Sequence, residues 1–175
     1  MLGLSSIANL KSRVLVLGVF PGEESLRRRE YYADSRNSFW TVACTALGVD
    51  VPQDYHSRVD LLRKSKIAVW DVLRSCERIG SQDKGIKPGS ETFNRIGGFL
   101  SLHKDITTIC FNGWEAYGYF SLMPKRKSYQ KMNDMALVVL PSSSGSNTHQ
   151  SIEQKSELWK VAIRDAKINP CCMRH

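Results

Sequence analysis

Four short apolar runs recur along the chain: RVLVLGV (Arg13–Val19), KIAVWDV (Lys66–Val72), ITTICFN (Ile106–Asn112) and MALVVLP (Met135–Pro141). Each is rich in β-branched residues and gives way to turn-forming or polar residues. Continuous apolar runs without alternation fit strands covered on both faces, as in a parallel sheet. Between them the pattern changes to helical spacing. SFWTVACTALG stops at Gly48, a natural helix terminator. DYHSRVDLLRKS places Tyr55, Val59 and Leu62 on one face. FNRIGGFLSLH carries Phe93, Ile96, Phe99, Leu100 and Leu102, weakened by Gly97 and Gly98. GWEAYGYFSL follows the third run directly. SIEQKSELWKVAIRDA opens with Ser151 and has Gln154 three residues on, a capping-box signature. Its apolar face is expected to run through Leu158, Val161 and Ala162.

Strands alternating with helices predict an α/β fold, a three-layer sandwich with a central four-stranded parallel sheet flanked by helices. No internal repeat, low-complexity tract or linker divides the chain, so residues 1–175 are expected to form one domain. At 175 residues the chain is long enough for a sizeable core.

Composition adds direction rather than architecture. Hydrophobic residues make up 42% and charged residues 24%, ordinary values for a soluble globular protein. The net charge of +8 favours a polyanionic partner such as nucleic acid over a neutral one. The five cysteines, Cys44, Cys76, Cys110, Cys171 and Cys172, form no C-x-x-C pair, which argues against a disulfide framework or a zinc site. No apolar run is long enough to span a bilayer, and MLGLSSIANLKSR is too weakly hydrophobic for a signal peptide. An intracellular protein is expected.

In open α/β sheets, ligands bind beyond the carboxyl ends of the strands. After the first run comes VFPGEESLRRREYYADSRNSFW; after the second, Asp71 and VLRSCERIGSQDKGIKPGS; after the third, Asn112 and Gly113; after the fourth, PSSSGSNTHQ. All four segments are rich in small, polar and amide residues, the composition of loops that cradle a ligand with backbone. Several chemistries are excluded. There is no G-x-G-x-x-G, no phosphate loop of the NTPase kind and no G-x-S-x-G elbow. The zinc-deaminase pair of H-x-E and P-C-x-x-C is absent. His56, His103, His149 and His175 are scattered, with no metal-ligand spacing.

These residues resemble a known family. Gly18, Pro21, Gly22, Ser25, Tyr31, Tyr32, Asn37, Phe39 and Trp40 spell a first motif similar to that of the uracil-DNA glycosylase superfamily. The similarity is to its hypoxanthine-DNA (deoxyinosine) glycosylase branch, related to the mismatch-specific uracil and thymine glycosylases. It continues through WDVLRSCERIGSQDKGI, FNG, LPSSSGSN and K-S-x-L-W, in order, over nearly the whole chain. The resemblance implies that Asn37 is catalytic, and places Phe20 where other branches hold a water-activating Asn or Asp. It puts Asp71 where uracil-specific relatives have a base-reading asparagine, and Leu140 where some branches have a histidine. Ser142 and Ser143 fall where the superfamily grips phosphate, in a loop with Ser144 and Asn147. Val19 stands where the branch has Ser, and Gly145–Ser146 where it has Pro-Ala. GSQDKGI departs likewise from the usual GSLDS-x-I.

The implied activity is hydrolysis of an N-glycosidic bond in double-stranded DNA carrying a damaged or mismatched base. It needs no metal or cofactor, and the superfamily's single domain suggests a monomer. Such an enzyme takes the base out of the stack before cleavage. Phe20, Tyr32, Phe39 and Tyr31 are candidate stacking partners, with Asn112 in the base pocket. Pro21 and Gly22 would let backbone approach the nucleotide, and Arg27, Arg28 and Arg29 would grip phosphate. Asn37 could orient water or donate to the departing base. Asp71 could orient water, stabilise the sugar cation or accept the N1–H of hypoxanthine, which adenine lacks.

Plainer roles exist for the same residues. Asn37 could cap the following helix. Asp71 could accept backbone N–H groups, and Asn112 could make a turn. Trp40 and Trp70 suit a core, while Arg27–Arg29 and Lys125, Arg126 and Lys127 could be solvated faces. Alternatives for the whole chain are a uracil or thymine mismatch glycosylase, a non-catalytic nucleic-acid-binding protein, or a hydrolase of another small nucleoside or ester.

Overall fold

A computed structural model of the chain describes residues 1–124 and 135–168, with side chains through residue 164. Lys125, Arg126, Lys127, Cys171, Cys172 and His175 lie outside the described residues. Four strands, β1 (Val14–Gly18), β2 (Ile67–Asp71), β5 (Thr108–Asn112) and β6 (Ala136–Leu140), form one sheet in the order β2-β1-β5-β6. All three pairings are parallel. The four-stranded parallel sheet expected from the apolar runs is therefore present.

Side chains alternate across the sheet and define two cores. Val14, Val16, Ile67, Val69 and Cys110 pack on one face against α2 (Phe39–Leu47), α3 (Tyr55–Lys64) and α6 (Ile152–Ile168). Leu15, Leu17, Ala68, Ile109 and Phe111 pack on the other against α4 (Ile96–Leu102) and α5 (Trp114–Ser121). Helices on both faces make this the three-layer sandwich. The central strands are buried throughout, as continuous apolar runs require. β6 is an edge strand and differs: Leu137 is 45% exposed. The free edge of β2 is covered by the N-terminal segment, where Ile7 pairs with Val69.

Local signals explain most helix limits. Gly48 ends α2 in the left-handed conformation, φ 73°. Asp54 caps α3, accepting from Ser57 N–H at 2.9 Å. The box at α6 forms as expected: Gln154 N–H donates to Ser151 Oγ and Ser151 N–H to Gln154 Oε1. The buried face of α6 is not the one expected. Leu158 and Val161 are exposed, while Lys155, Ser156, Trp159, Ala162 and Ile163 point inward.

Four elements among the described residues lie outside the strand–helix alternation, one of them a single 3-10 turn at Asp83–Gly85. Glu23–Arg28 coils into a short helix, α1, where a loop is expected. β3 (Leu73–Ser75) and β4 (Thr92–Phe93) form a small antiparallel pair. Phe93 and Asn94 thus leave the helical window assigned to them. Asn94 is buried, and its amide donates to Asp71 O and Leu73 O, tying the end of β2 to this pair. Cys44, Cys76 and Cys110 are free thiols, packed as small buried hydrophobes.

Candidate active site

The strand order changes direction at β1, which has β2 on one side and β5 on the other. Its carboxyl end is where an α/β sheet opens a crevice. Gly18, the last residue of β1, pairs with Asp71, the last of β2. A Cβ on Gly18 would sit 2.7 Å from Asp71 Oδ1 and 3.4 Å from Tyr32 Oη. Only glycine leaves room for these groups to converge on the strand end.

From Tyr32 a hydrogen-bonded chain runs across the strand ends. Asn112 Nδ2 donates to Tyr32 Oη at 3.2 Å and to Ser143 Oγ at 2.8 Å. Asn112 Oδ1 accepts from Ser143 N–H at 2.8 Å. Ser143 O in turn accepts from Ser38 N–H at 2.9 Å and from Ser38 Oγ. Asn37 precedes Ser38, and its Oδ1 accepts from Phe39 N–H at 3.0 Å. The hydrogen-bonded path from Tyr32 to Ser38 thus joins β5, the loop after β6 and the start of α2, and Gly18 brings Tyr32 beside Asp71 at the ends of β1 and β2.

Tyr32 lies in the left-handed region, φ 54°, which is unfavourable for a non-glycine residue. Its ring stacks on Phe39, with centroids 3.8 Å apart and planes 9° from parallel. Phe39 is fully buried and also meets Trp40 and Trp159 edge-on. The expectation that Phe39 itself stacks on a base is corrected: Tyr32 covers it, and the half-buried Tyr32 ring is the surface that remains. Phe20 is also part of the core, 6% exposed, with the Arg78 guanidinium 5.1 Å from its ring centroid. Its place in the first-motif loop is that of a wall rather than an open platform.

Asp71 is buried at 4% exposure. Burial pushes its carboxyl up to about 7, against an opposing pull from the nearby Tyr31 hydroxyl. The two groups approach without hydrogen-bond geometry. Tyr31 Oη and Asp71 Oδ2 both lack a hydrogen-bond partner among the described residues. Asp71 does not accept backbone N–H groups through Oδ2, the plainer role open to it. Arg78, not foreseen from the sequence, stands on the same side. Its Nη2 donates to Pro21 O at 2.7 Å, while buried Nε and Nη1 have no partner among the described residues. Asp83 carries a raised pKa from burial first and the charge of Glu115 second, opposed by Arg78.

Several expected backbone contacts turn out to be scaffold. Ser25 is buried, and its Oγ accepts from Ala33 N–H at 3.2 Å. Ser143 has no exposed surface and is bonded internally, so a phosphate-gripping role for it is corrected. Asn112 commits its amide to Tyr32 and Ser143, which makes it a positioning residue rather than a simple turn. Pro21 is buried, while the Cβ position of Gly22 is open. In the last loop, Ser142 Oγ accepts from Ser144 N–H, and Asn147 Nδ2 donates to Ser142 O. Lys155, also unforeseen, is buried and donates to Asn147 O at 2.8 Å, anchoring that loop to α6. Its signal was a lysine on what proves the inward face of a helix. Arg27 pairs with Glu24, Arg28 with Glu30 at 2.9 Å, and Arg36 with Asp34 at 2.7 Å. All three guanidinium groups remain substantially exposed.

The chain is an α/β/α sandwich in which Asp71, Tyr32 and Gly18 converge at the strand switch point. The chain belongs to the uracil DNA glycosylase superfamily, whose family description matches residues 5–167. It is 34% identical over 164 residues to a protein of Methanosarcina acetivorans named hypoxanthine DNA glycosylase, covering 93% of this chain and 97% of that one. A Methanosarcina barkeri protein of the same name is 27% identical over 163 residues, with the same coverage. A solution NMR structure of a Methanosarcina acetivorans protein described as a uracil DNA glycosylase superposes with a TM-score of 0.76 at 31% identity. It covers 94% of this chain and 97% of its own.

Proposed function

We propose that this protein is a monofunctional DNA glycosylase that removes hypoxanthine from double-stranded DNA, acting as a single-domain monomer inside the cell. The observation that carries the reading is the convergence of Asp71 and Tyr32 beside Gly18, in a chain similar over its length to two hypoxanthine DNA glycosylases. The flipped base stacks on the free face of Tyr32, whose other face is fixed by Phe39. Ionised Asp71 accepts the N1–H of hypoxanthine, an atom that adenine does not protonate at neutral pH.

Asn37 keeps its Nδ2 for the reaction, since its Oδ1 is bonded to Phe39 N–H. Its amide orients the attacking water, which adds to the sugar as the C–N bond breaks through an oxocarbenium-like state. The base leaves with the bonding electron pair and takes up a proton. Ser142, Ser144 and Asn147 present the last loop to the strand, and Arg27, Arg28 and Arg36 meet the phosphates flanking it.

The test is excision from labelled duplexes carrying inosine, uracil or a thymine mismatch, in EDTA, followed by alkaline cleavage at abasic sites. Cleavage at inosine is expected. Cleavage confined to uracil or thymine would refute the role given to Asp71, and no cleavage with retained duplex binding would refute the enzyme. Asn37→Ala should lower single-turnover excision by about 100-fold or more, the usual scale for a group that positions a reacting water. Unchanged thermal stability would separate this from a loss of helix capping.

A further inference from the structure

We propose that Trp114 is the wedge of this protein, entering the base stack beside the extruded nucleotide; the proposal rests on the glycosylase reading above. The chain has four tryptophans. Trp40 and Trp159 are buried, and Trp70 is half-buried with its Nε1 donating to Leu4 O. Trp114 is different, with 74% of its surface exposed. An indole is a large apolar surface with one donor, and leaving it in water forfeits the stabilisation that burial provides.

Its position is fixed by the site. Trp114 is the first residue of α5, two residues after Asn112. Between them Gly113 adopts φ 103°, and a Cβ there would lie 2.9 Å from Ser142 Cβ. The backbone at Trp114 is therefore held against the last loop. The ring is propped edge-on against Tyr117 at 5.9 Å, and Tyr117 is edge-on to core Phe111 at 5.2 Å. A propped ring loses little freedom when it stacks.

The last loop itself offers no apolar group at its tip. Ser144 and Ser146 bond to each other, and Gly145 is pressed so close to Arg36 O that its Cβ would lie 2.8 Å away. Extruding a nucleotide leaves a gap in the duplex, and proteins that unstack base steps do so with an inserted apolar side chain. Trp114 is the exposed aromatic side chain beside this loop. The chain carries +8, which suits a nucleic acid rather than an apolar protein surface. Ile79, 90% exposed on the segment that follows β3, is the rival wedge.

Two measurements decide. The first compares excision of inosine from duplex and from single-stranded DNA for wild type, Trp114→Ala, Trp114→Phe and Ile79→Ala. Trp114→Ala should lose about 10-fold or more on duplex, the scale of one lost base–aromatic stack, with little change on single strands. Trp114→Phe should recover part of the loss, and Ile79→Ala should keep the wild-type ratio. The second follows tryptophan emission and acrylamide quenching on saturation with a duplex holding a tetrahydrofuran abasic-site analogue. The Trp114 contribution, isolated by subtracting Trp114→Phe, should fall in intensity and become protected. An equal loss on both substrates, a loss only in Ile79→Ala, or unchanged Trp114 emission in a bound complex would each overturn the proposal. A wild type inert on inosine would refute the hypoxanthine reading, and the fluorescence would still decide whether Trp114 enters DNA.

Discussion

The two walls at the carboxyl end of the sheet are built on different terms. On the side of Tyr32, Asn112 and Ser143, the buried polar groups are bonded to one another, and the wall is a rigid scaffold. On the side of Asp71, Tyr31 and Arg78, four buried polar atoms have no hydrogen-bond partner among the described residues. Elsewhere among those residues the same holds only of Trp159 Nε1. Two of the four, Tyr31 Oη and Asp71 Oδ2, belong to groups close enough for the hydroxyl to pull the carboxyl down, so the concentration of such atoms at one strand end is not a neutral feature of packing. Polar groups left unsatisfied in a folded protein mark places where stability is given up for function. In the proposed function, one wall holds the platform for the base and the other holds the groups that read or activate it.

Breaking the satisfied wall should have the largest effect on stability. Asn112→Ala removes the acceptor of the buried Ser143 N–H and frees Tyr32 Oη. A loss of about 2–4 kcal/mol in chemical denaturation is expected, with a parallel fall in excision as the Tyr32 ring loosens. Gly18→Ala acts at the seam between the walls. Its Cβ would displace the Asp71 carboxylate, and the expected cost is about 1–3 kcal/mol, as for other overpacked interiors.

Asp71→Asn sharpens the comparison through pH. The folded-state pKa of Asp71 is raised above the unfolded value, so its contribution favours folding at low pH and is lost as pH rises through about 7. Wild type should therefore melt at a higher temperature at pH 5 than at pH 8. Asp71→Asn should flatten that dependence, by at most about 3 kcal/mol, because only the span from pH 5 to about 7 contributes. Excision should run the other way and rise through pH 7, because the ionised carboxylate is the acceptor. A wild-type rate that falls over this range would assign the protonated form to the reaction. The smallest effect is expected outside both walls. Arg27→Ala removes an exposed ion pair and should leave the denaturation midpoint essentially unchanged. Duplex binding should weaken modestly, with a shallower salt dependence.

Much of this architecture was legible along the chain. The four apolar runs became the four strands of one parallel sheet because a strand covered on both faces must be apolar at every position. Gly48 and the Ser151–Gln154 box marked helix ends because capping is a local interaction between near neighbours. The four polar loops pointed to one end of the sheet, since every strand of a parallel sheet delivers its following loop to the same edge. The spelling of the motifs added the family, which the comparisons show.

Other features depended on contacts between distant segments. Phe39 and Tyr32 look equivalent in YYADSRNSFW, but only the folded chain shows that one ring covers the other. Ser143 and Ser142 are neighbours of the same type, yet one is interior and the other lines the loop. α6 turned a face that its periodicity did not select, because the partner surface decides among competing stripes. Arg78 and Lys155 stand inside the family motifs, but their burial was not legible there, because a charged residue is read as exposed until its carbonyl partner is known. What the sequence determined by itself was local: strand, helix, cap, and the order of the loops along one edge. What the tertiary structure alone decided was which polar atoms are paired and which are left waiting. Pairing joins residues far apart in the chain, and no pattern within a single segment encodes it.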